Sequence, residues 1–237
     1  MDGITHVVHA AADSNYGDRL SPLKRYDQIV IGTRNMLDFA VANRVKRFLL
    51  TSSGGVYGRQ PANLERIPED YMGMPDPMSP ASAYGVAKRA AEHLCAKRCF
   101  AFVGQDLPLD VHFAIGNFIR DALCRDEIVV QGDGTAIRSY MDQRDLVDWL
   151  LTILERVKSG EAYNVGSDDA ISITDLAYLV RDTLSPEKPV RILGKAVGNA
   201  ERNRYVPDVT KAKRELGVDL TFSLRESVQE AARYSSV

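Results

Sequence analysis

Residues 82–88 read Ser-Ala-Tyr-Gly-Val-Ala-Lys, and they open a run from Tyr84 to Cys95 whose apolar side chains recur at helical spacing. On this predicted helix, Tyr84 and Lys88 are four residues apart and therefore lie on the same face. An ammonium beside a phenol favours the phenolate and lowers the pKa of the tyrosine, which suits it to proton transfer. The same spacing is also found on solvated helix faces, so the pair needs support from elsewhere in the chain.

That support lies upstream, where residues 49–58 read Leu-Leu-Thr-Ser-Ser-Gly-Gly-Val-Tyr-Gly, an apolar strand that runs into hydroxyls and glycines. Ligands of open parallel sheets bind at the carboxyl ends of the strands. From such an end, Ser53 is placed to hydrogen-bond the oxygen whose proton Tyr84 transfers. The predicted order of strand 4–12, helix 26–42, strand 45–51 and the Tyr84 helix favours a parallel sheet.

Together the two stretches resemble the extended short-chain dehydrogenase/reductase family, in its NAD-dependent epimerase/dehydratase branch, which acts on nucleotide sugars. The shared pattern is a Ser/Thr-rich strand end with V-Y-G, followed by Y-x-x-x-K, here Thr51–Gly58 and Tyr84–Lys88. The resemblance implies an α/β fold with an incomplete Rossmann-like, doubly wound parallel sheet. It also implies a partial NAD(P)-binding domain over residues 1–104 and a smaller α/β substrate-binding part over residues 105–237. The resemblance leaves open whether the two parts interleave in the fold.

The resemblance also assigns roles to individual residues. Ser53, Tyr84 and Lys88 are the expected catalytic residues, with Tyr84 taking the proton of a sugar hydroxyl as hydride passes to NAD. Lys88 is expected to hold the nicotinamide ribose as well. NAD is the expected cofactor, with NADP left open. Further cofactor contacts are expected at Thr51 and at the small residues Ala10, Ala11 and Ala12.

Substrate contacts are expected further along the chain. A Gly-Asp-Gly turn followed by Arg138 resembles a substrate-binding signature of the family, and the planar fork of an arginine grips phosphate oxygens bidentately. The alternative for Arg138 is a surface ion pair with Asp133 or Asp145. Asn117, near the start of a predicted helix, and Arg204 are two further expected contacts, although Arg204 also fits a solvated loop.

Several features depart from the family pattern. Ile29 stands where an Asn is usual, and Ala101 stands where many members carry a substrate-binding Asn. The sequence contains no G-x-x-G-x-x-G or G-x-G-x-x-G, and it begins at what resembles the fourth strand of the family. We therefore expect roughly 70 residues of a complete member to be absent. These departures leave open a catalytically inactive, truncated member that binds a nucleotide sugar or a partner subunit.

The reaction subtype depends on the residues after Ser53. Sugar 4,6-dehydratases of the family carry Asp-Glu there, and decarboxylating relatives keep the Glu, but this chain has Gly54 and Gly55. The resemblance therefore favours a 4-epimerase or a keto-sugar reductase acting on a UDP-, dTDP- or CDP-linked sugar. Relatives commonly dimerise through the helices that match 26–42 and 84–95, so a homodimer is expected.

Composition limits the remaining function classes. A net charge of −2 over 237 residues gives no reason to expect nucleic acid or an acidic membrane surface as a partner. No apolar run is long enough to span a membrane, and no signal peptide is recognisable. Three cysteines without metal spacing predict free thiols in the cytoplasm, and His6 and His9 fall on opposite faces of a strand, so no metal is expected. Glu69 and Asp70 are predicted in a solvated loop.

The last part of the chain carries signals for helix ends. Ser172 is expected to cap a helix over 175–183, and Asp208 is expected to cap a helix over 209–216 that Gly217 closes. Ser223 with Glu226 predicts a capping box for the last helix.

Overall fold

The computed structural model describes residues 3–12, 20–95, 98–99, 102–103, 113–158, 160–195 and 203–235. Within these ranges the chain is mixed α/β, with helices packed against mainly parallel strand pairs, which confirms the predicted fold class. The strands are β1 His6–His9, β2 Arg47–Leu50, β3 Arg98–Cys99, β4 Phe102–Val103, β5 Ile128–Val130, β6 Ile137–Arg138, β7 Met141–Asp142, β8 Asn164–Val165, β9 Ile171–Ser172, β10 Val190–Ile192 and β11 Arg204–Tyr205. The helices are α1 Pro22–Ala42, α2 Ala83–Leu94, α3 Ala114–Cys124, α4 Gln143–Arg156, α5 Ile173–Leu184, α6 Thr210–Leu216 and α7 Leu224–Tyr234, with 3₁₀ turns at Gly54–Tyr57 and Pro80–Ser82.

Strand β2 is covered by helices on both faces. It pairs in parallel with β1, from His6 opposite Arg47 to His9 opposite Leu50. Leu50 packs with residues of α1 and α2 on one face, whereas Leu49 packs against Trp149 of α4 on the other. Alternate residues of a strand point to opposite faces, so this arrangement is that of a doubly wound sheet. The carboxyl ends of β1 and β2 consequently lie side by side.

The later part of the chain builds a second helical layer. Helices α3, α5 and α7 share a core with the parallel pair of β5 and β10. Two other parallel pairs, β3 with β8 and β4 with β7, join residues 98–99 to 164–165 and residues 102–103 to 141–142. The core around Trp149 contains Leu49 together with Val165, so it draws residues from both sides of the predicted boundary at residue 104. The domain division itself stays a prediction.

Local sequence signals set many helix ends. Ser223 and Glu226 form the predicted capping box of α7, and Ser172 caps α5 through the backbone N–H of Asp175. Helix α6 ends at Gly217, whose φ of +68° lies in the left-handed region that glycine adopts without strain. The predicted caps of α5 and α7 and the predicted stop of α6 at Gly217 are therefore confirmed.

Other helix ends differ from the sequence prediction. Helix α1 begins at Pro22 rather than at residue 26, because Ser21 caps it by accepting a hydrogen bond from the backbone N–H of Lys24. Proline fits the first turn, where its missing N–H leaves no bond unmade. At α6, the cap residue is Val209, one position after the predicted Asp208, whose carboxylate accepts from the N–H of Thr210. None of the helices in the described part of the chain has the length and hydropathy needed to cross a bilayer.

Helix α2 and the 3₁₀ turn Gly54–Tyr57 meet through two glycines. A Cβ added to Gly85 would lie 2.6 Å from the carbonyl oxygen of Gly55 and 3.0 Å from Cγ of Pro75. These distances are too short for any side chain, and the nearest atom is a fixed backbone oxygen. Gly85 therefore permits the close approach that seats the turn on the helix.

This contact predicts opposite effects for two helical glycines. Gly85→Ala should reduce the free energy of unfolding by about 1–3 kcal/mol, because a methyl group is forced against backbone. Gly32→Ala in α1 should raise it by about 0.5–1 kcal/mol, because a Cβ there meets nothing within 4 Å. Urea denaturation of both variants measures the difference, and equal effects would contradict the proposed packing.

Candidate active site

Tyr84 and Lys88 lie on one face of α2, as their spacing predicted. The Nζ atom of Lys88 is 5.9 Å from the centroid of the Tyr84 ring. Lys88 is only 3% exposed, and its ammonium donates a hydrogen bond to the main-chain oxygen of Thr51 at 2.9 Å. A buried ammonium needs such acceptors, since burying a charge without partners is very costly. Helix α2 thus places Lys88 at the carboxyl end of β2.

Ser53 lies at the same end of β2 and caps the 3₁₀ turn that follows. Its Oγ accepts a hydrogen bond from the backbone N–H of Gly55 at 3.1 Å. Its hydroxyl proton has no acceptor within the described part of the chain, so the hydroxyl keeps its donor capacity. Ser53 therefore has a fixed oxygen and an available proton.

Gly55 shows how close these groups lie to one another. A Cβ added at this position would be 3.3 Å from Oγ of Ser53 and 4.0 Å from Cδ1 of Tyr84. The serine hydroxyl and the tyrosine ring therefore lie on either side of one small space, and a side chain at position 55 would point into that space. The structure brings the three predicted catalytic residues together, while their chemical roles stay predictions.

The end of β1 adds a buried histidine that the sequence reasoning did not assign to the site. Nε2 of His9 lies 3.3 Å from Oγ1 of Thr33, which donates its own proton to the carbonyl of Ile29 at 2.7 Å. Since that hydroxyl proton is committed, Nε2 carries the hydrogen of the His9–Thr33 bond. Burial, and then the charge of Lys88, hold the pKa of His9 below its ordinary value. The one signal in the sequence was the pair Gly32-Thr33, which matches a Gly-Thr of the family that the chain resembles.

The expected cofactor residues surround the same point. The backbone N–H and the hydroxyl of Thr51 both donate to the carbonyl of His9, at 3.1 and 3.4 Å. Ala10 and Ala11 follow β1 with exposed side chains, and Ala12 packs against the cluster formed by α1 and α2. Small residues, hydroxyls and an ammonium at paired strand ends fit the nicotinamide and ribose half of a dinucleotide.

Arg138 is held by backbone oxygens. Its Nη1 donates to the carbonyls of Ile137 at 2.8 Å and Asn203 at 2.9 Å. The alternative of a surface ion pair is wrong, because Asp133 and Asp145 instead accept hydrogen bonds from backbone N–H groups near them. Burial lowers the pKa of Arg138, and no described carboxylate lies within ion-pair distance. A partly desolvated guanidinium of this kind suits an anionic ligand.

Asn117 lines a separate cavity of about 360 Å³ between α3 and the turn after β5. Its Oδ1 accepts a hydrogen bond from Nη1 of Arg120 at 3.2 Å, and Arg120 lines the same cavity. Neither Arg138 nor Arg204 lines it, and Arg204 donates to the carbonyl of Glu65 at 2.7 Å. The three predicted substrate residues are therefore not brought into one cavity. Ala101 lies outside the described residues. The sequence reasoning did not predict Arg120, because its place beside Asn117 in the cavity depends on how α3 packs.

Asn164 holds the segment after the 3₁₀ turn in place. Its Oδ1 accepts from the hydroxyl of Tyr57 at 2.8 Å, and its Nδ2 donates to the carbonyls of Ile67 and Asp208. Its backbone N–H donates to Glu69 at 2.8 Å. The prediction of a solvated Glu69 is therefore wrong, and desolvation raises the pKa of this carboxyl. Asn164 is completely buried and joins three separate segments.

More than half of the chain matches one known protein family. A profile described as the NAD dependent epimerase/dehydratase family matches residues 1–166. The chain belongs to the NAD-dependent epimerase/dehydratase family. This membership confirms the resemblance on which the site residues were chosen, and it agrees with the paired strand ends and the Tyr84–Lys88 helix.

Curated relatives in this family share about 30% of their residues with the chain. UDP-glucuronic acid decarboxylase 2 of Arabidopsis thaliana is 31% identical over 241 residues, covering 96% of this chain and 52% of the relative. UDP-glucuronic acid decarboxylase 1 of Danio rerio is 29% identical, covering 100% of this chain and 57% of the relative. The chain thus spans about half the length of these relatives. Their subtype differs from the epimerase or reductase that the sequence favoured.

Solved structures of the family support the fold. RMD from Pseudomonas aeruginosa, complexed with NADPH, superposes with a TM-score of 0.84 at 24% identity over 97% of this chain and 80% of that one. UDP-glucose 4-epimerase of Thermotoga maritima, with UDP-glucose, gives a TM-score of 0.80 at 24% identity over 97% and 76%. At this level of identity the likeness establishes the shared architecture alone.

The lowered pKa of His9 predicts how stability depends on pH. The unfolded state binds the proton more readily than the folded state, so stability should fall as pH drops below about 6.5 toward the lowered pKa. His9→Gln keeps an N–H donor for Thr33 and should flatten this dependence. His6→Gln, at an exposed position on the same strand, is the control. Thermal unfolding between about pH 5 and 8 measures both slopes, and identical slopes would refute the account of His9.

Proposed function

We propose that this chain is an NAD-dependent nucleotide-sugar enzyme that transfers hydride at a sugar carbon, as a 4-epimerase or a keto-sugar reductase. The observation that carries the proposal is the placement of Lys88, buried beneath Tyr84 and bonded to the backbone of Thr51. Ser53 lies across Gly55 from the same tyrosine. An acid/base pair and a hydroxyl donor around one small space suit the oxidation of an alcohol and the reduction of a ketone.

In this proposal, Tyr84 transfers a proton, Ser53 donates a hydrogen bond and Lys88 stabilises a charge. Tyr84, as phenolate, accepts the proton of the sugar hydroxyl, and in the reverse direction the phenol returns it to the carbonyl oxygen. The ammonium of Lys88 stabilises the phenolate, since an opposite charge nearby favours the ionised form. Ser53 donates its hydroxyl proton to the reacting oxygen and holds it in place. The nicotinamide, when bound, supplies the hydride acceptor and donor.

The residues that would hold the cofactor are Lys88 and Thr51, together with the small residues Ala10, Ala11 and Ala12 at the end of β1. Their types suit ribose hydroxyls and a closely approaching ring. The family description supports NAD. Because solved relatives are described with NADPH and with NAD, both cofactors belong in the test.

Decarboxylation of a UDP-linked uronic acid is the second candidate, and the curated relatives favour it. Against it stands Gly55, because the side chain at this position would project between Ser53 and Tyr84. Decarboxylating relatives are expected to carry a glutamate there. Without that carboxylate, epimerisation or reduction fits the residues better. The assembled catalytic trio also argues against the alternative of an inactive member.

The ligand we propose is a nucleotide sugar, with UDP as the first nucleotide to test. Arg138 offers a partly desolvated guanidinium for a phosphate, and Asn117 lines the cavity beside α3. Arg204 completes the proposed set as a further phosphate contact.

Cys95 and Cys124 are free thiols, which suits the expected cytoplasmic location.

The central test is Tyr84→Phe, compared with Tyr234→Phe at an exposed position. Removing the phenolic oxygen should lower kcat by about 10²–10⁴-fold and leave cofactor binding unchanged, because it removes proton transfer alone. Calorimetric titration with NAD and then NADP measures binding. Interconversion of UDP-glucose and UDP-galactose, reduction of a nucleotide-linked keto-sugar with reduced cofactor, and release of CO2 from UDP-glucuronic acid measure turnover.

Each outcome decides between named alternatives. CO2 release from UDP-glucuronic acid would replace the epimerase or reductase by a decarboxylase. A folded chain that binds neither cofactor at millimolar concentration would refute the proposal that this chain acts as an enzyme. Equal loss of activity in the Tyr84 and Tyr234 variants would remove Tyr84 from the mechanism.

We also propose a homodimer formed through α1 and α2. One side of α1 exposes the large apolar side chains of Leu23, Ile31 and Val41, and α1 packs closely against α2. Ile31→Glu should shift the chain to monomer, because a carboxylate buried in an apolar contact is costly. Val147→Glu, at a valine of equal 53% exposure on α4, should not. Light scattering after size exclusion measures the mass, and an unaltered mass for Ile31→Glu would contradict this interface.

A further inference from the structure

Arg89 follows Lys88 in α2 and bonds to two other segments. Its Nη1 donates to the carbonyl of Val56 at 3.0 Å and to the carbonyl of Gly73 at 2.6 Å. Val56 belongs to the 3₁₀ turn Gly54–Tyr57, and Gly73 belongs to the loop that leads toward α2. One half-buried guanidinium therefore bonds the helix to both neighbouring backbones.

The three backbones joined by Arg89 are already in close contact. A Cβ added to Gly73 would lie 2.6 Å from the carbonyl oxygen of Tyr57 and would also overlap the ring of Tyr71. Gly58 has a φ of +70°, and a Cβ there would clash with the carbonyl of Met74. The turn thus fits closely between the loop and the helix, with no space for a side chain at positions 58, 73 or 85.

The turn carries Ser53 as its cap. The backbone N–H of Gly55 donates to Oγ of Ser53 at 3.1 Å, and the N–H of Val56 donates to its carbonyl at 3.2 Å. Val56 therefore bonds to Ser53 through its N–H and to Arg89 through its carbonyl. Hydrogen bonds therefore run from α2, the helix that carries Tyr84, through Val56 to the main-chain carbonyl of Ser53, and the neighbouring N–H of Gly55 holds the Ser53 hydroxyl.

We propose that Arg89 is a positioning residue that fixes the Ser53 hydroxyl relative to Tyr84 by clamping the 3₁₀ turn onto α2. The inference rests on the proposed function, in which both side chains act on one sugar oxygen. Misplacing a reacting group by about 1 Å can cost about 10²-fold in rate. Both bonds come from one nitrogen, Nη1, whose two N–H groups can each meet one of the two carbonyls.

A double-mutant cycle tests whether Arg89 acts through Ser53. Arg89→Met should lower kcat by about 10–100-fold with little change in the KM of the nucleotide sugar. In the Ser53→Ala background, Arg89→Met should cause little further loss, because the hydroxyl that it positions is gone. Arg89→Lys should fall between wild type and Arg89→Met. Arg233→Met, at an exposed arginine of α7, is the control and should leave kcat unchanged. Losses that multiply in the double variant would overturn the proposal.

Hydrogen exchange provides a readout that does not need turnover. In Arg89→Met, the amides of Gly55, Val56 and Gly58 should exchange faster than in wild type, while amides of α7 keep their rates. Unchanged exchange at the turn, or faster exchange throughout the chain, would overturn the clamp. If Arg89→Met does not fold, Arg89→Lys carries the exchange and kinetic measurements. An inactive wild type would refute the proposed function while leaving the clamp to be decided by exchange.

Discussion

The active site depends on one backbone contact, the approach of Gly85 in α2 to the carbonyl of Gly55. Gly55 belongs to a short turn and Gly85 to a regular helix, so neither backbone can move away from the contact. Tyr84 precedes Gly85 in the helix and Ser53 caps the turn, so the contact sets the position of Tyr84 relative to Ser53. The absence of a side chain at position 85 is what permits this geometry.

Charge at the strand ends follows from the same packing. The ammonium of Lys88 is buried next to His9, and two cations so close would repel each other in a poorly solvated site. Burial, and then this charge, therefore hold the pKa of His9 below its ordinary value. The Nζ atom of Lys88 bonds to the carbonyl of Thr51 and lies 5.9 Å from the centroid of the Tyr84 ring, which is the arrangement on which the proposed function rests.

Sequence reasoning succeeded where the decisive interaction is local. The capping box of Ser223 and Glu226 spans three positions, and the spacing of Tyr84 and Lys88 spans four, so both could be read directly. It failed where partners are distant in sequence. Asn164 bonds to Tyr57 across 107 positions, and the bond between Arg89 and Val56 joins a helix to a separate turn. Such contacts follow from how the elements pack, which no local pattern encodes.

Position 55 has a consequence for how activities diverge within this family. The φ of Gly55 lies outside the left-handed region, so an ordinary L-residue can occupy the position without backbone strain. Two of the glycine codons become glutamate codons by a single base change. The carboxylate expected of decarboxylating relatives is therefore one mutational step away, and it would enter the space between Ser53 and Tyr84. The expected difference between the two reaction subtypes therefore lies in one side chain, at a position whose backbone can accept it.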